Sequence, residues 1–307
     1  MGIGAKYLIT VDSNMQYVHN NYFKYIGQGK DFRTEISDLH CTTLSYFEET
    51  VRAFRLLHEQ KQGNIFVFYS GGIDSEYAIA VFKHMNISVT PVIINFKDDL
   101  NSHDTHYAFK FCRNNGIEPI VIDFDFIEFI ESGRILDIAT KINCHAYQYT
   151  PTLECMLKFD GTIFMAEGDP YLKLNVTTNE WEYLNFERIA ALNNFFQKYN
   201  IQGTPNMLSY TSGMLSAFMR HRAIRELAQG ERPGRLSSFS TRHRLYNDNS
   251  TFSLETRPKF GGYEKIEQLD IFKNHPVFKV FDKLTVEYSN HDVRNYHDFM
   301  KESGLND

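Results

Sequence analysis

Residues 64–78, Asn-Ile-Phe-Val-Phe-Tyr-Ser-Gly-Gly-Ile-Asp-Ser-Glu-Tyr-Ala, constrain the fold of this chain more than any other stretch. Ile65 to Tyr69 are consecutive apolar or aromatic residues between Gly63 and a Ser-Gly-Gly turn, which predicts a buried central strand. From Ile73 the period changes. Ile73, Tyr77, Ala80 and Val81 recur at helical spacing, so the strand feeds a helix through Ser70-Gly71-Gly72-Ile73-Asp74-Ser75. Paired glycines admit positive φ and let a ligand approach the main chain closely. The free N–H groups of the helix start carry roughly half a unit of positive charge and attract an anion. Ser70 and Ser75 add hydroxyl donors, and Asp74 adds a carboxylate. A carboxylate beside a phosphate site repels the ligand unless a cation lies between them, which points to Mg2+ at Asp74.

Ser70 to Ser75 resemble the SGGxDS signature of the PP-loop ATP pyrophosphatases, among them asparagine synthetase, GMP synthetase, NAD synthetase and several tRNA-modifying enzymes. The resemblance implies a doubly wound parallel α/β sheet of the adenine nucleotide alpha hydrolase-like type. It also implies ATP and Mg2+ as cofactors, with ATP cleaved between the α and β phosphates.

At 307 residues the chain can bury a substantial core, and 42% hydrophobic with 23% charged residues is ordinary for a soluble globular protein. A net charge of -6 argues against a surface coated for nucleic acid. Cys41, Cys112, Cys144 and Cys155 form no CxxC pair or zinc spacing, which fits a reduced, cytoplasmic setting. No apolar run is long enough to cross a membrane, and no signal peptide leads the chain. Position two is Gly2, whereas glutamine-dependent relatives of asparagine synthetase expose a cysteine there, and 62 residues are too few for a glutaminase domain. Ammonia, if consumed, would then come from a separate glutaminase.

Three segments are expected: an N-terminal hairpin and helix appendage over 1–62, the PP-loop core over 63–184, and a mainly helical lobe over 185–307 that completes the site. In the first, Tyr7 to Val11 and Gln16 to Val18 suggest a hairpin, and Thr43 to Glu59 an amphipathic helix. In the second, strands are expected at Ile87 to Asn95, Pro119 to Phe124 and Gly161 to Ala166, with helices at Ser102 to Asn115, capped by Ser102, and Thr152 to Phe159. Leu172 to Tyr183 looks like a hairpin. Helices follow at Phe186 to Phe196 and Gly213 to Ala228, separated by Gly203-Thr204-Pro205-Asn206.

The asparagine synthetase resemblance extends to further motifs. Asp104, Ala108 and Gly116 are similar to its second βα unit, where the strand end, here Ile94 to Phe96 with Asn95, holds adenine through backbone groups. Glu167-Gly168-Asp169 resembles its acidic loop, one residue short, which implies acid-base help from Glu167 and a second metal ligand in Asp169. Arg257-Pro258-Lys259 followed by Phe260 and Gly261 resembles the segment whose lysine meets the departing pyrophosphate; Lys ammonium suits charge building on a leaving group. Seven arginines between Arg220 and Arg244 form either an anion-binding surface, for pyrophosphate, a phosphorylated substrate or RNA, or a solvated face paired with acids elsewhere.

The expected activity is an AMP-forming ligase joining a small-molecule carboxylate or amide oxygen to an amine or ammonia. A nucleobase or tRNA modification enzyme of the same superfamily is the alternative, and a nucleotide-binding regulatory protein without turnover is the third reading. Cys144 and Cys155 would share a helix face as a thiolating pair, but Pro151 interrupts that helix.

Overall fold

In the computed structural model, residues 14–18, 23–28, 31–36, 42–167, 171–175, 177, 180–184, 187–228, 239–248, 250–258, 261–281 and 284 are described. β1 (Asn14–Val18), β2 (Phe23–Gln28) and β3 (Asp31–Ile36) make an antiparallel sheet in that order. A strand does cover Gln16–Val18, but its partner is Phe23–Gln28. The expected partner, Tyr7 to Val11, lies outside the described residues. Phe23 and Tyr25 alternate with Lys24, a period-two signal that competes for the pairing.

Helix α1 (Tyr46–Glu59) starts at a capping box: Ser45 Oγ accepts from Glu48 N–H at 3.2 Å, and Ser45 N–H donates to Glu48 Oε2 at 2.8 Å. Its apolar stripe of Phe47, Phe54 and Leu57 is buried. The central strand β4 (Ile65–Phe68) then feeds α2 (Ile73–His84), as the apolar run predicts. β5 (Thr90–Phe96) begins three residues later than expected. Ile87 instead closes α2, donating to the Phe82 carbonyl at 2.9 Å after the left-handed Asn86. α3 (Ser102–Asn115) has the expected span and ends at left-handed Gly116, but its N-cap is Asn101.

β6 (Ile120–Phe124) is followed by α4 (Phe126–Glu131), α5 (Arg134–Ile142) and α6 (Thr150–Met156). Pro151 stands in the first turn of α6, where its missing N–H has no intrahelical acceptor to satisfy; it starts a helix that the sequence reading began at Thr152. β7 (Thr162–Met165) comes next. β8 (Tyr171–Asn175) pairs antiparallel with β9 (Glu180–Leu184), forming the expected hairpin. α7 (Glu187–Lys198) leads to β10 (Gln202–Thr204), a strand in the stretch read only as a separator.

The expected single helix from Gly213 to Ala228 is two, α8 (Ser212–Arg220) and α9 (Arg222–Ala228). His221 adopts extended backbone between them, and its Nδ1 accepts from the Ala223 N–H at 3.2 Å, so the imidazole caps α9. The last long helix described is α10 (Phe239–Asn247).

The main sheet is α/β, doubly wound and parallel throughout, in the order β10-β7-β4-β5-β6. Val67 and Tyr69 enter one core with residues of α1, α2, α8 and α10, while Phe66 and Phe68 enter a second core with residues of α4 to α7. A strand buried on both faces gives the unbroken apolar run seen in the sequence. The chain leaves β4 toward β5 and later returns to lay β7 on β4's other side, so the strand order reverses between β4 and β7. In open α/β sheets that reversal leaves a crevice at the carboxyl ends of the strands. Among the described residues, no helix is long and apolar enough to cross a membrane.

Candidate functional site

The Ser-Gly-Gly turn stands at this reversal. Gly71 has φ +105°, and a Cβ there would lie 2.2 Å from the Asp104 carbonyl oxygen. The turn is thus pressed against the first turn of α3, and only glycine fits. Gly72 is the extended N-cap of α2, and its N–H donates to Ser70 Oγ at 3.3 Å. Ile73 is buried beneath the helix start, while Asp74 and Ser75 are half-buried and Ser70 is exposed. Replacing Gly71 with alanine forces the turn off α3; we expect about 1–3 kcal/mol of lost stability from the backbone conformation alone, read by chemical denaturation.

Asp74 Oδ1 accepts from the Tyr246 hydroxyl at 2.6 Å, and Oδ2 is paired with the buried Arg242 guanidinium. Tyr246 is held in turn by stacking on Tyr77, with centroids 4.2 Å apart. The site's leading candidate metal ligand therefore already has protein partners on both oxygens. Among the described residues, no group of three His, Cys, Asp or Glu side chains could cage a metal ion. A nucleotide-site Mg2+ needs only one or two carboxylates, because phosphates and water supply the rest. Asp169 lies outside the described residues.

A buried charge network behind the turn was not foreseen. Glu76, in the first turn of α2, is paired with Arg257, and it accepts from the Tyr69 hydroxyl at 2.5 Å. Arg257 Nη1 donates to the Gly71 carbonyl at 2.7 Å, and its guanidinium lies 5.0 Å from the Tyr107 ring centroid. The side chains of Glu76 and Arg257 are only 4% and 3% exposed. Burial, with Glu76 beside it, pushes the Tyr69 hydroxyl well above the usual tyrosine range, so it stays a donor. The signal was present: a glutamate following Ser75 inside an apolar helix face needs a cation, and Arg257 was singled out for the ligand alone.

At the end of β5, the Asn101 side chain accepts from the Phe96 N–H at 2.8 Å and donates to the Ile94 carbonyl at 2.9 Å. This spends the amide that would otherwise cap α3, and it occupies backbone groups expected to read a base. Asn95 donates from Nδ2 to Asp123 at 3.1 Å, and Phe96 is buried against Phe126 and Tyr263. Leu254 lies in one core, and Tyr263 and Ile266 lie in the other, so the chain crosses from one core to the other between them. The crossing is tied down by Arg257 and by Glu264, which meets His103 Nε2 at 2.8 Å. Lys259 in the same segment lies outside the described residues.

Asp104 sits under this crossing and is 8% exposed. Its Oδ1 is 3.1 Å from where a Gly71 Cβ would be and its Oδ2 is 3.2 Å from that of Gly262, which has φ +78°. Among the described residues its carboxylate has no hydrogen-bond donor. Burial pushes its pKa up to about 7, with Glu264 adding to the shift and Arg257 opposing it.

Phe68 is in register with Met165, so Ser70 and Glu167 each lie two residues beyond the last pair of β4 and β7. Glu167 Oε2 accepts from the Tyr149 hydroxyl at 3.1 Å, and its main chain is pinned to Pro205 and Leu208. The structure thus brings Ser70 to Ser75, Arg257 and Glu167 to the carboxyl end of two adjacent strands, with Asn95 and Phe96 at the end of the next. In the arginine run, Arg242 pairs with Asp74, Arg222 and Arg244 with Glu226, and Arg220 donates to the Thr42 carbonyl at 2.5 Å. Arg232 and Arg235 lie outside the described residues.

A groove of about 400 Å³ lies on the far side of the Glu76–Arg257 pair, between α2, α3 and residues 251–257. Its cations are already committed: Lys83 bonds Asn115, and Lys110 bonds Glu255 at 2.7 Å. It offers less to an anion than the turn does.

No family model matches the chain, and no curated protein matches it. Solved structures with some likeness include a predicted subunit of tRNA methyltransferase from Methanocaldococcus jannaschii, at 18% identity and TM-score 0.31 over 51% of this chain and 75% of that one. NMN synthetase from Francisella tularensis is 14% identical with TM-score 0.27, covering 51% of this chain and 70% of that one. The U34-tRNA thiolase NcsA from Methanococcus maripaludis, solved with its [4Fe-4S] cluster, is 16% identical with TM-score 0.32, covering 82% of each. At such TM-scores the fold rests on this chain's own strand order.

Proposed function

We propose that the chain is an ATP-dependent, AMP-forming ligase of the PP-loop ATP pyrophosphatase type. One observation carries the reading: Ser70-Gly71-Gly72-Ile73-Asp74-Ser75 is the strand-to-helix turn beside the β4/β7 reversal, with Gly71 at φ +105° and the α2 N-terminus directly behind it. In this reading the ATP phosphates lie against the turn's N–H groups and the Ser70 and Ser75 hydroxyls, and Arg257 fixes the turn through the Gly71 carbonyl. A helix terminus contributes only about 0.3–2 kcal/mol toward an anion, too little for a triphosphate. Asp74, with Asp169, would hold Mg2+, which offsets the phosphate charge when bound.

A carboxylate or amide oxygen of a small acceptor attacks the α phosphorus. The bond to the α–β bridging oxygen breaks, and pyrophosphate leaves with its electron pair, met by Lys259. An amine or ammonia then attacks the activated carbon, AMP departs, and Glu167 takes the proton from nitrogen. Tyr149 orients that carboxylate by donating to Oε2.

A cysteine-dependent RNA thiolase fits the side chains less well. Cys144 and Cys155 are fully buried, and burial pushes both thiols up to about 12, so neither offers a thiolate near pH 7. We expect Cys144→Ala with Cys155→Ala to leave AMP formation within about twofold of wild type in a nucleotide-product assay, because buried thiols act as small hydrophobes. To test the main reading, the protein is incubated with Mg-ATP and either a small-metabolite or an RNA pool, and nucleotides are identified by mass spectrometry. AMP formed only with metabolites supports the ligase, and AMP formed only with RNA moves the assignment to nucleobase modification. ATP binding without turnover in either pool makes the chain a nucleotide-binding regulator.

A further inference from the structure

We propose that Asp104 accepts hydrogen bonds from the ribose hydroxyls of a nucleotide bound at the Ser70–Ser75 turn, a role that rests on the ATP reading of that turn. Asp104 is more than nine-tenths buried, yet no described group donates to its carboxylate. A carboxylate that is 8% exposed and has no described donor keeps little of its solvation, so its place in the fold suits a donor supplied from outside. Its surroundings select the donor. Gly71 and Gly262 flank the carboxylate with bare backbone, and a Cβ at either would stand about a contact distance from its oxygens, 3.1 and 3.2 Å.

Its position along a bound nucleotide follows from its own helix. Asn101, the N-cap of α3 three residues earlier, holds the end of β5 through Ile94 and Phe96, while the Asp104 backbone presses on the phosphate turn. Asp104 therefore stands between the turn that takes phosphates in this reading and the end of β5, where a nucleotide extending from the turn would carry its sugar. The charge is right for a sugar and wrong for a phosphate. Glu264 adds a second negative group nearby, and Arg257, the cation among the described residues that acts on it, is committed to Glu76 and the Gly71 carbonyl. A vicinal diol brings two neutral O–H donors, which match a carboxylate's two acceptor oxygens.

The test is isothermal titration of the full chain at pH 8 with Mg-ATP and with Mg-2′,3′-dideoxy-ATP. Hydrogen bonds to a charged acceptor predict that wild type binds ATP at least about tenfold tighter than the dideoxy analogue. The same reasoning predicts a ratio near 1 in Asp104→Ala and no more than about 3 in the isosteric Asp104→Asn, which covers the case where the alanine variant fails to fold. Equal wild-type affinities, or an unchanged ratio in Asp104→Asn, overturn the proposal and leave the ATP reading standing. Failure of wild type to bind either nucleotide overturns both.

Discussion

Arg257→Ala is expected to lower stability by about 3–5 kcal/mol, because removing one partner of a buried pair strands the other charge. Glu76 would remain 4% exposed in the core behind the turn, keeping among the described residues only the Tyr69 hydroxyl as a donor. For a chain of this size that loss corresponds to roughly 10 °C in melting temperature. The Gly71 carbonyl also loses its 2.7 Å contact, so nucleotide binding should weaken in parallel. Replacing both partners, Glu76→Leu with Arg257→Met, should recover most of the stability, since a well-packed apolar pair often equals a buried ion pair. It should not recover binding, since methionine has no donor for the turn. Thermal denaturation and nucleotide titration of the single and double variants separate the two effects.

Asp104→Asn is expected to act in the opposite direction on stability. The unfolded chain releases this proton near 3.8 and the folded protein near 7, so the folded state binds the proton more tightly. The group's contribution is most favourable below pH 4 and is lost as pH rises toward 7 and beyond. A gap of that size corresponds to about 4 kcal/mol at pH 8. The groups that set it are the burial itself, Glu264 across the crossing segment, which raises the value, and Arg257, which lowers it. His103 on the same helix faces Glu264. An uncharged asparagine avoids the ionisation cost, so melting curves should show a gain of about 2–4 kcal/mol at pH 8 that shrinks toward nothing at pH 4. A residue that weakens the fold in the working pH range is the kind that function retains.

The main sheet was legible because its signals are local. The run Ile65 to Tyr69, the glycine stop at Gly116 and the spacing along α2 and α3 each fix an element without help from distant residues. β10 was missed because Gln202-Gly203-Thr204 is short and glycine-bearing, and it becomes a strand only by pairing with β7. α5 had a readable stripe in Ile135, Ile138, Ala139 and Ile142, which the sequence reading passed over. The candidate site divided in the same way. The turn itself is a contiguous motif, whereas Arg242 on Asp74, Arg257 on Glu76 and Asn101 on the β5 end are long-range or loop contacts that no spacing rule encodes. In the arginine run, charge density alone did not distinguish the buried Arg242 from the exposed Arg222 and Arg244.

The most direct measurement is exchange of labelled pyrophosphate into ATP, with Mg2+ and the acceptor-bearing metabolite fraction present. Reversible adenylation at the Ser70–Ser75 turn predicts acceptor-dependent exchange that is lost in Gly71→Ala and accompanied by AMP. ADP and phosphate as the products, with no label entering ATP, would contradict cleavage between the α and β phosphates and with it the account given for this site.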